Sequence, residues 1–393
     1  MVVVPAESAE RPLRRPRAPV TAYLITYRSK FRLMKILRDL SALDEYIPGR
    51  GVEEVAREHG MEPDDLAKLA SNENPLGPPP AAVEAIHEAA SGVNVYPTAL
   101  HNDVRDEVAE KLDAPAENVV LGAGADGVFD TVGRAVIEDG DGVLTPEPGF
   151  SYYGMSARNI GGHERSYSLE EEDGRGFEYD AERIVEAYEG EKVVYITTPN
   201  NPTGTTTTLE VIEEVADAVE GLVFVDEAYW EFSNRETAVP LALERDDVAV
   251  ARTFSKAYGL AGLRVGYGVL PDELARAYRK VVTPFCVGSV SLYAARGALG
   301  DDEHLRESVE LARWGREYMA KNLNAPTYET EANFVLADVS PQNATEVADE
   351  LERRGVIVRD TTSFGLPECI RVSVGTREET KRAVKEINEV YEG

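Results

Sequence analysis

The sequence predicts an α/β fold: a large domain with a mostly parallel sheet flanked by helices, then a smaller α+β domain. Three observations carry this. Short apolar, β-branched runs recur between about residues 118 and 255, each ending in polar or glycine residues: NVVLGAGADG, GVLTPEPGF, EKVVYITTPNNPTG, GLVFVDEAYWEF and VAVARTFSKAYG. Amphipathic stretches such as VFDTVGRAVIE and LEVIEEVADAVEG separate several of them. Continuous apolar strands alternating with helices indicate a parallel sheet covered on both faces. After about residue 290 the rhythm changes: a long helical stretch leads to ANFVLADV, ATEVADELERRG, VIVRD and CIRVSVGT, where strands and helices mix without that repeat.

Taken in order, residues 1–33 read as a basic extension, 34–75 as an arm, 76–288 as the large domain and 289–393 as the small one. The extension carries about five net positive charges and is punctuated by proline, so the rest of the chain holds about −35. It lacks an apolar stretch followed by a small-residue cleavage site and does not read as a targeting peptide. It reads as sequence upstream of a start at Met34, with a disordered basic arm as the alternative. Residues 35–70 read as a helix start and a surface arm. LASNENPLGPPP is extended, because its prolines forbid a regular helix. AAVEAIHEAA has helical spacing, and NVYPTALHNDVRDEVAEKL reads as a turn entering another helix.

Composition narrows the function. Hydrophobic residues make up 43% of 393, enough for one large core and a smaller one. No apolar run is long enough to span a bilayer, so a cytoplasmic protein is expected. The formal net charge is −30, which repels nucleic acid and anionic membrane and argues against both as partners. With only ten lysines, an acidic surface on this scale predicts a halophilic protein, since salt screens the self-repulsion. Two distant cysteines and five scattered histidines predict neither a disulfide framework nor a metal site.

Chemistry is expected at the strand ends, because ligands of such sheets bind outside the carboxyl ends of the strands. GAGADG, Gly122–Gly127, joins a strand to a helix and offers backbone N–H groups to a phosphate. Alone it is a weak signal, since glycine-rich turns are usually just turns. Asp226 follows an apolar strand, where a carboxylate is costly unless paired with something positive. A helix cap or a structural salt bridge is the commoner fate of such a residue. Lys256 also follows an apolar strand, in the company of Thr253 and Ser255. Most lysines are surface charges, but a desolvated one beside another cation becomes a nucleophile toward carbonyls. Arg264 supplies that cation and a planar fork for phosphate. A phosphate, an aldehyde for the lysine and a basic ring nitrogen for the aspartate together describe pyridoxal 5′-phosphate.

NNPTG, VDEAY and SKAYGLAGLRVGY, in that order and spacing, resemble the fold-type I PLP-dependent aminotransferases from about Met34 to the end. The resemblance implies roles. Lys256 would bind the cofactor's aldehyde and shuttle the α-proton. Asp226 would hold the ring nitrogen protonated. Asn201 and Tyr229 would donate to the ring's phenolic oxygen. Ala125, Asp126, Thr253, Ser255 and Arg264 would cradle the phosphate. Phe150 would stack on the ring, at a position often held by tyrosine. Tyr96 would reach the cofactor phosphate of a second subunit, which implies a homodimer. Cis peptides are implied before Pro202 and Pro148.

YIPGRG, LASNENPLGPP, NVYPTA and CIRVSVGT point further, to the branch of the family that exchanges an amino group between L-histidinol phosphate and 2-oxoglutarate in histidine biosynthesis. One pocket must then take a phosphate monoester and a dicarboxylate in turn. Arg359 and Arg371 are the expected anchors, because guanidinium pairs bidentately with either group, and Tyr46 and Asn74 are the other expected substrate contacts. For Arg359 a solvated surface charge is an equally good reading. Three rivals share the cofactor residues: an aromatic or aspartate aminotransferase, a threonine-phosphate decarboxylase, and a PLP-binding homologue without activity.

Overall fold

The computed structural model describes Leu43 and residues 50–98, 102–170 and 176–393. The expectations for residues 1–33 and for Tyr46 lie outside the described residues. The described elements from residue 50 onward belong to one unit, Glu45–Gly393, which contains two sheets.

The larger sheet has seven strands: β2 (Val119–Gly122), β3 (Gly142–Glu147), β4 (His163–Ser168), β5 (Val193–Thr197), β6 (Leu222–Asp226), β7 (Val248–Thr253) and β8 (Gly266–Val269), in the order β2-β8-β7-β6-β5-β3-β4. From β7 to β4 all neighbours are parallel, and β8 runs antiparallel to both β2 and β7. Strands β5 and β7 are buried along their whole length, as continuous apolar runs require when both faces are covered.

The covering helices include α4 (Gly124–Val136), α5 (Tyr152–Asn159), α6 (Ala181–Ala187), α7 (Leu209–Ala218), α8 (Val239–Glu244) and α9 (Asp272–Val281). Before them come α1 (Val52–His59), α2 (Pro80–Ala90) and α3 (Asn102–Leu112), and after them α10 (Ser289–Leu299) and α11 (Asp302–Asn322). An aromatic cluster of Phe129, Tyr153, Tyr195 and Phe224 ties α4 and α5 to β5 and β6, with the Tyr153 and Tyr195 rings stacked 4.3 Å apart.

The smaller sheet has four strands in the order β1 (Ala67–Leu69), β10 (Val356–Asp360), β11 (Cys369–Ser373) and β9 (Phe334–Asp338). Helices α12 (Ala344–Arg353) and α13 (Arg377–Glu392) accompany it, and a capping box between Thr376 and Glu379 starts α13.

The segment read as a surface arm is in part internal. Val55, Leu66, Leu69 and Ala70 are buried, and β1 pairs in parallel with β10. The proline and asparagine run after β1 hid this three-residue strand, whose register comes from a partner near the other end of the chain. The peptides before Pro202 and Pro148 are both cis, as the resemblance implied, and that before Pro199 is cis as well. Among the described residues, no helix is long and apolar enough to cross a membrane.

Candidate active site

The carboxyl ends of β5, β6 and β7 lie side by side, and the residues beyond them form the site. Asp226 closes β6 and is 4% exposed. Tyr153 donates its hydroxyl to one carboxylate oxygen at 2.6 Å, and the Ala228 N–H donates to the other at 2.9 Å. Burial pushes the Asp226 carboxyl up to about 6, although both donors pull it down. Such a group gains most from a cation brought against it.

Next to it, β7 runs into Thr253, Ser255 and Lys256. Thr253 Oγ1 lies 2.9 Å from Ser255 Oγ, and Arg264 Nη1 donates to Ser255 Oγ at 3.1 Å. Arg264 also donates to Asp126 at 3.0 Å. Burial raises the Asp126 carboxyl, while the nearby cations Arg264 and Lys256 pull it down. Asp126 and Ala125 sit in the first turn of α4, whose N-cap, Ala123, makes no side-chain cap. The N–H groups of that turn suit an anion.

The geometry here is tight. Arg264 adopts a left-handed backbone, φ 49°, which non-glycine residues rarely hold. Gly124, φ 78°, lies so close that a Cβ there would sit 2.5 Å from Arg264 Nη2. The left-handed backbone favours glycine at 124, and a Cβ there would push the Arg264 guanidinium aside. A Cβ on Gly266 of β8 would come within 2.5 Å of the Gly124 backbone, so this strand can approach the helix start only as glycine.

Lys256 Nζ donates to the Ser71 carbonyl at 3.3 Å and lies 5.4 Å from the centre of the Tyr229 ring. Tyr229 is buried, packed edge-on against Phe334, and its hydroxyl accepts from the Asn72 amide at 3.0 Å. Arg371, buried on β11, donates to the Ala70 carbonyl at 2.7 Å and to Asn201 Oδ1. Asn74 reaches Ala257 O at 2.9 Å and Ser308 Oγ at 2.8 Å. The segment 70–74 therefore touches Arg371, Lys256, Tyr229 and the residue after Lys256, which joins the smaller sheet to the strand ends of the larger one.

The remaining expected residues lie further out. Phe150 packs between Tyr152 and Tyr153. Arg359 is half-buried on β10, donates to Ser363 Oγ at 3.3 Å and lies over the Phe364 ring. Tyr96 is 78% exposed and stacks on Phe285.

The family described as aminotransferase class I and II matches residues 64–387. The chain is 55% identical over 354 residues to the histidinol-phosphate aminotransferase of Halorubrum lacusprofundi, spanning 90% of this chain and 96% of that one. The chain belongs to the class I and II aminotransferases. A second relative, the histidinol-phosphate aminotransferase of Natronomonas pharaonis, is 54% identical over 355 residues, or 90% and 99% of the two chains. Among solved structures, the histidinol-phosphate aminotransferase of Sinorhizobium meliloti in complex with pyridoxal 5′-phosphate is similar to this aminotransferase with a TM-score of 0.80. It is 27% identical, over 90% of this chain and 99% of that one.

Motif reading passed over two residues of this aminotransferase's site. Tyr153 lies three positions after Phe150 in PEPGFSYYG, and an apolar face would place it in the core, which it also joins. Asn72 lies in LASNENPLGPP, where only the turn character of the asparagines was legible.

Proposed function

We propose that the protein transfers the amino group of L-histidinol phosphate to 2-oxoglutarate, giving imidazole acetol phosphate and L-glutamate, with pyridoxal 5′-phosphate as cofactor. The observation that carries this is the convergence of Lys256, Asp226 and Tyr229 at adjoining strand ends, with Arg371 bonded to Asn201 beside them. The chemistry of the donor set fits the cofactor: an amine for its aldehyde, a buried carboxyl for its ring nitrogen, and an uncapped helix start with Arg264 for its phosphate.

When bound, the cofactor supplies an aldehyde for amine exchange and a conjugated ring that absorbs the negative charge left when the α-proton departs. The chain does the rest. Thr253, Ser255, Arg264 and the first turn of α4, with Ala125 and Asp126, hold the phosphate. Asp226, as a carboxylate, would pair with a protonated ring nitrogen. Phe150 would pack against the ring. Arg371 donates to Asn201 Oδ1, which leaves the Asn201 amide N–H groups to donate elsewhere, and with Tyr229 they would serve the ring oxygen. Lys256 Nζ is the group that would take up the α-proton and deliver it again. Arg371 and Arg359 take the substrate's anionic groups, with Asn74 and Tyr46 as further contacts.

The reading includes a homodimer, in which Tyr96 reaches the second subunit's cofactor phosphate. Its support is a surface where Val93, Val95, Tyr96, Phe285 and Tyr293 are all exposed. It also divides the unit into a large domain, 76–288, and a small one, 289–393, joined by the arm, and places the protein in the cytoplasm of a halophile.

The test is the visible spectrum of the purified protein in molar KCl, before and after L-histidinol phosphate is added without a keto acid. A yellow band that bleaches supports cofactor and substrate together. A band that stays unchanged removes this substrate and moves the aromatic and threonine-phosphate readings up. No band with added pyridoxal 5′-phosphate removes the role of Lys256.

A further inference from the structure

Asn72 is nearly inaccessible, and all four of its polar groups are engaged. Its backbone N–H donates to Ser373 Oγ at 2.9 Å, and its carbonyl accepts from Asn333 Nδ2 at 3.1 Å. Ser373 Oγ donates in turn to Asn72 Oδ1 at 2.8 Å, and Asn72 Nδ2 donates to the Tyr229 hydroxyl oxygen at 3.0 Å.

One arrangement of protons satisfies all of these groups. Ser373 is buried, its oxygen accepts from the Asn72 backbone N–H, and its hydrogen needs an acceptor, which Asn72 Oδ1 provides. That fixes the amide: the oxygen faces Ser373 and the nitrogen faces Tyr229. An amide nitrogen has only hydrogens to offer, so the Tyr229 oxygen accepts and its own proton points elsewhere. A hydroxyl that accepts one hydrogen bond donates a stronger one. The backbone is suited to this: Asn72 holds a left-handed φ of 53°, which asparagine tolerates better than most residues.

We propose that Asn72 is a positioning residue for the Tyr229 proton: its amide, oriented by Ser373 of the smaller sheet, occupies the phenol's oxygen and leaves that proton aimed at the cofactor's ring oxygen. The inference rests on the reading that Tyr229 faces the cofactor. It makes Ser373, on β11, the element through which the smaller sheet acts on the cofactor's electronics.

A donor on the ring oxygen draws electron density from the conjugated system and makes its titrating proton easier to lose. The measurement is therefore the midpoint of the visible-band titration of the loaded protein against pH, in molar KCl. Tyr229→Phe, which removes the donor, raises the midpoint by roughly one pH unit. Asn72→Asp replaces the amide by an acceptor that claims the Tyr229 proton, so it raises the midpoint about as far as Tyr229→Phe. Asn72→Gly keeps the left-handed backbone and removes only the amide; it raises the midpoint by about a few tenths of a unit, as expected for a weakened bond. In the Tyr229→Phe background Asn72→Gly, which adds no charge, does not move the midpoint further, whereas a general structural disturbance would move it in both backgrounds.

Ser373→Ala, which leaves Asn72 and Tyr229 in place but frees the amide to turn, is the second variant and also raises the midpoint. A midpoint that shifts in Tyr229→Phe but stays at the wild-type value in Asn72→Asp, Asn72→Gly and Ser373→Ala overturns the proposal and leaves the role of Tyr229 intact. If Tyr229→Phe itself leaves the midpoint unmoved, the underlying reading of Tyr229 fails and the proposal falls with it.

Discussion

Arg359 stands in register with Arg371 across the antiparallel pair β10 and β11. Directly opposed residues share a face, with Cβ atoms about 5 Å apart. Both guanidinium groups also lie over the Phe364 ring, at 5.5 and 6.0 Å. Like charges so placed cost stability unless an anion comes between them, which suits a pocket that receives a carboxylate or a phosphate.

Their burial differs, so their variants should differ too. Arg371→Ala should lower kcat/KM for glutamate by on the order of 100- to 1,000-fold, and Arg371→Lys should recover little, because the planar fork is lost. Arg359→Ala, at a half-exposed site, should cost about tenfold, and that cost should shrink as KCl rises and screens the charge. Steady-state kinetics at two salt concentrations check both. Glutamate activity that survives Arg371→Ala would assign the anchor elsewhere.

Gly124→Ala should leave the fold standing and lower the affinity for pyridoxal 5′-phosphate by at least about tenfold, because the new methyl displaces Arg264. Titration of the apoprotein with the cofactor, followed by its visible absorption, measures this. Unchanged affinity would show that the phosphate lies away from the start of α4.

Asp226 gives a pH prediction for the apoprotein. Its carboxyl rises from an ordinary value of 3.8 to about 6 because of burial. The folded state then holds a proton that the unfolded state releases between these values, so this group's contribution to stability falls as pH rises from about 4 to 6. Asp226→Asn, which cannot ionise, should gain on the wild type through that window and hold a constant advantage above about pH 7. The pH-dependent part is at most roughly 3 kcal/mol. Denaturant melts of both apoproteins from pH 4 to 8 test it, and a difference that stays flat would mean an ordinary carboxylate.

The charge of −30 predicts that Tm rises steadily from low to molar KCl, as screening relieves self-repulsion. A Tm that does not respond to KCl would mean that the acidic surface is no adaptation to salt.

What could be read in advance follows from how each residue is fixed. Asp226 and Thr253 end apolar strands and Lys256 follows one of them closely, so pattern and position revealed them together. Strand β4, HERSYS, escaped because it is an edge strand with mostly accessible side chains, and no apolar run marks it. Strand β8 escaped for the opposite reason: its glycines, set by the close approach of α4, remove the β-branched signal. Tyr153 and Asn72 act through partners distant in sequence, Asp226 and Tyr229, and local pattern carries no record of such pairs.

The pairing of β1 with β10 orders events during synthesis. The seven-stranded sheet is complete once Val269 has left the ribosome, and domains generally fold as they emerge. Strand β1 is made before all of it, yet its partner Val356–Val358 comes near the end of translation. Strand β1 therefore waits for its partner while the larger sheet settles. Arg371 and Ser373 reach the site only with β11, so a ribosome stalled before β10 should leave a nascent chain whose larger sheet is complete and whose site lacks both residues.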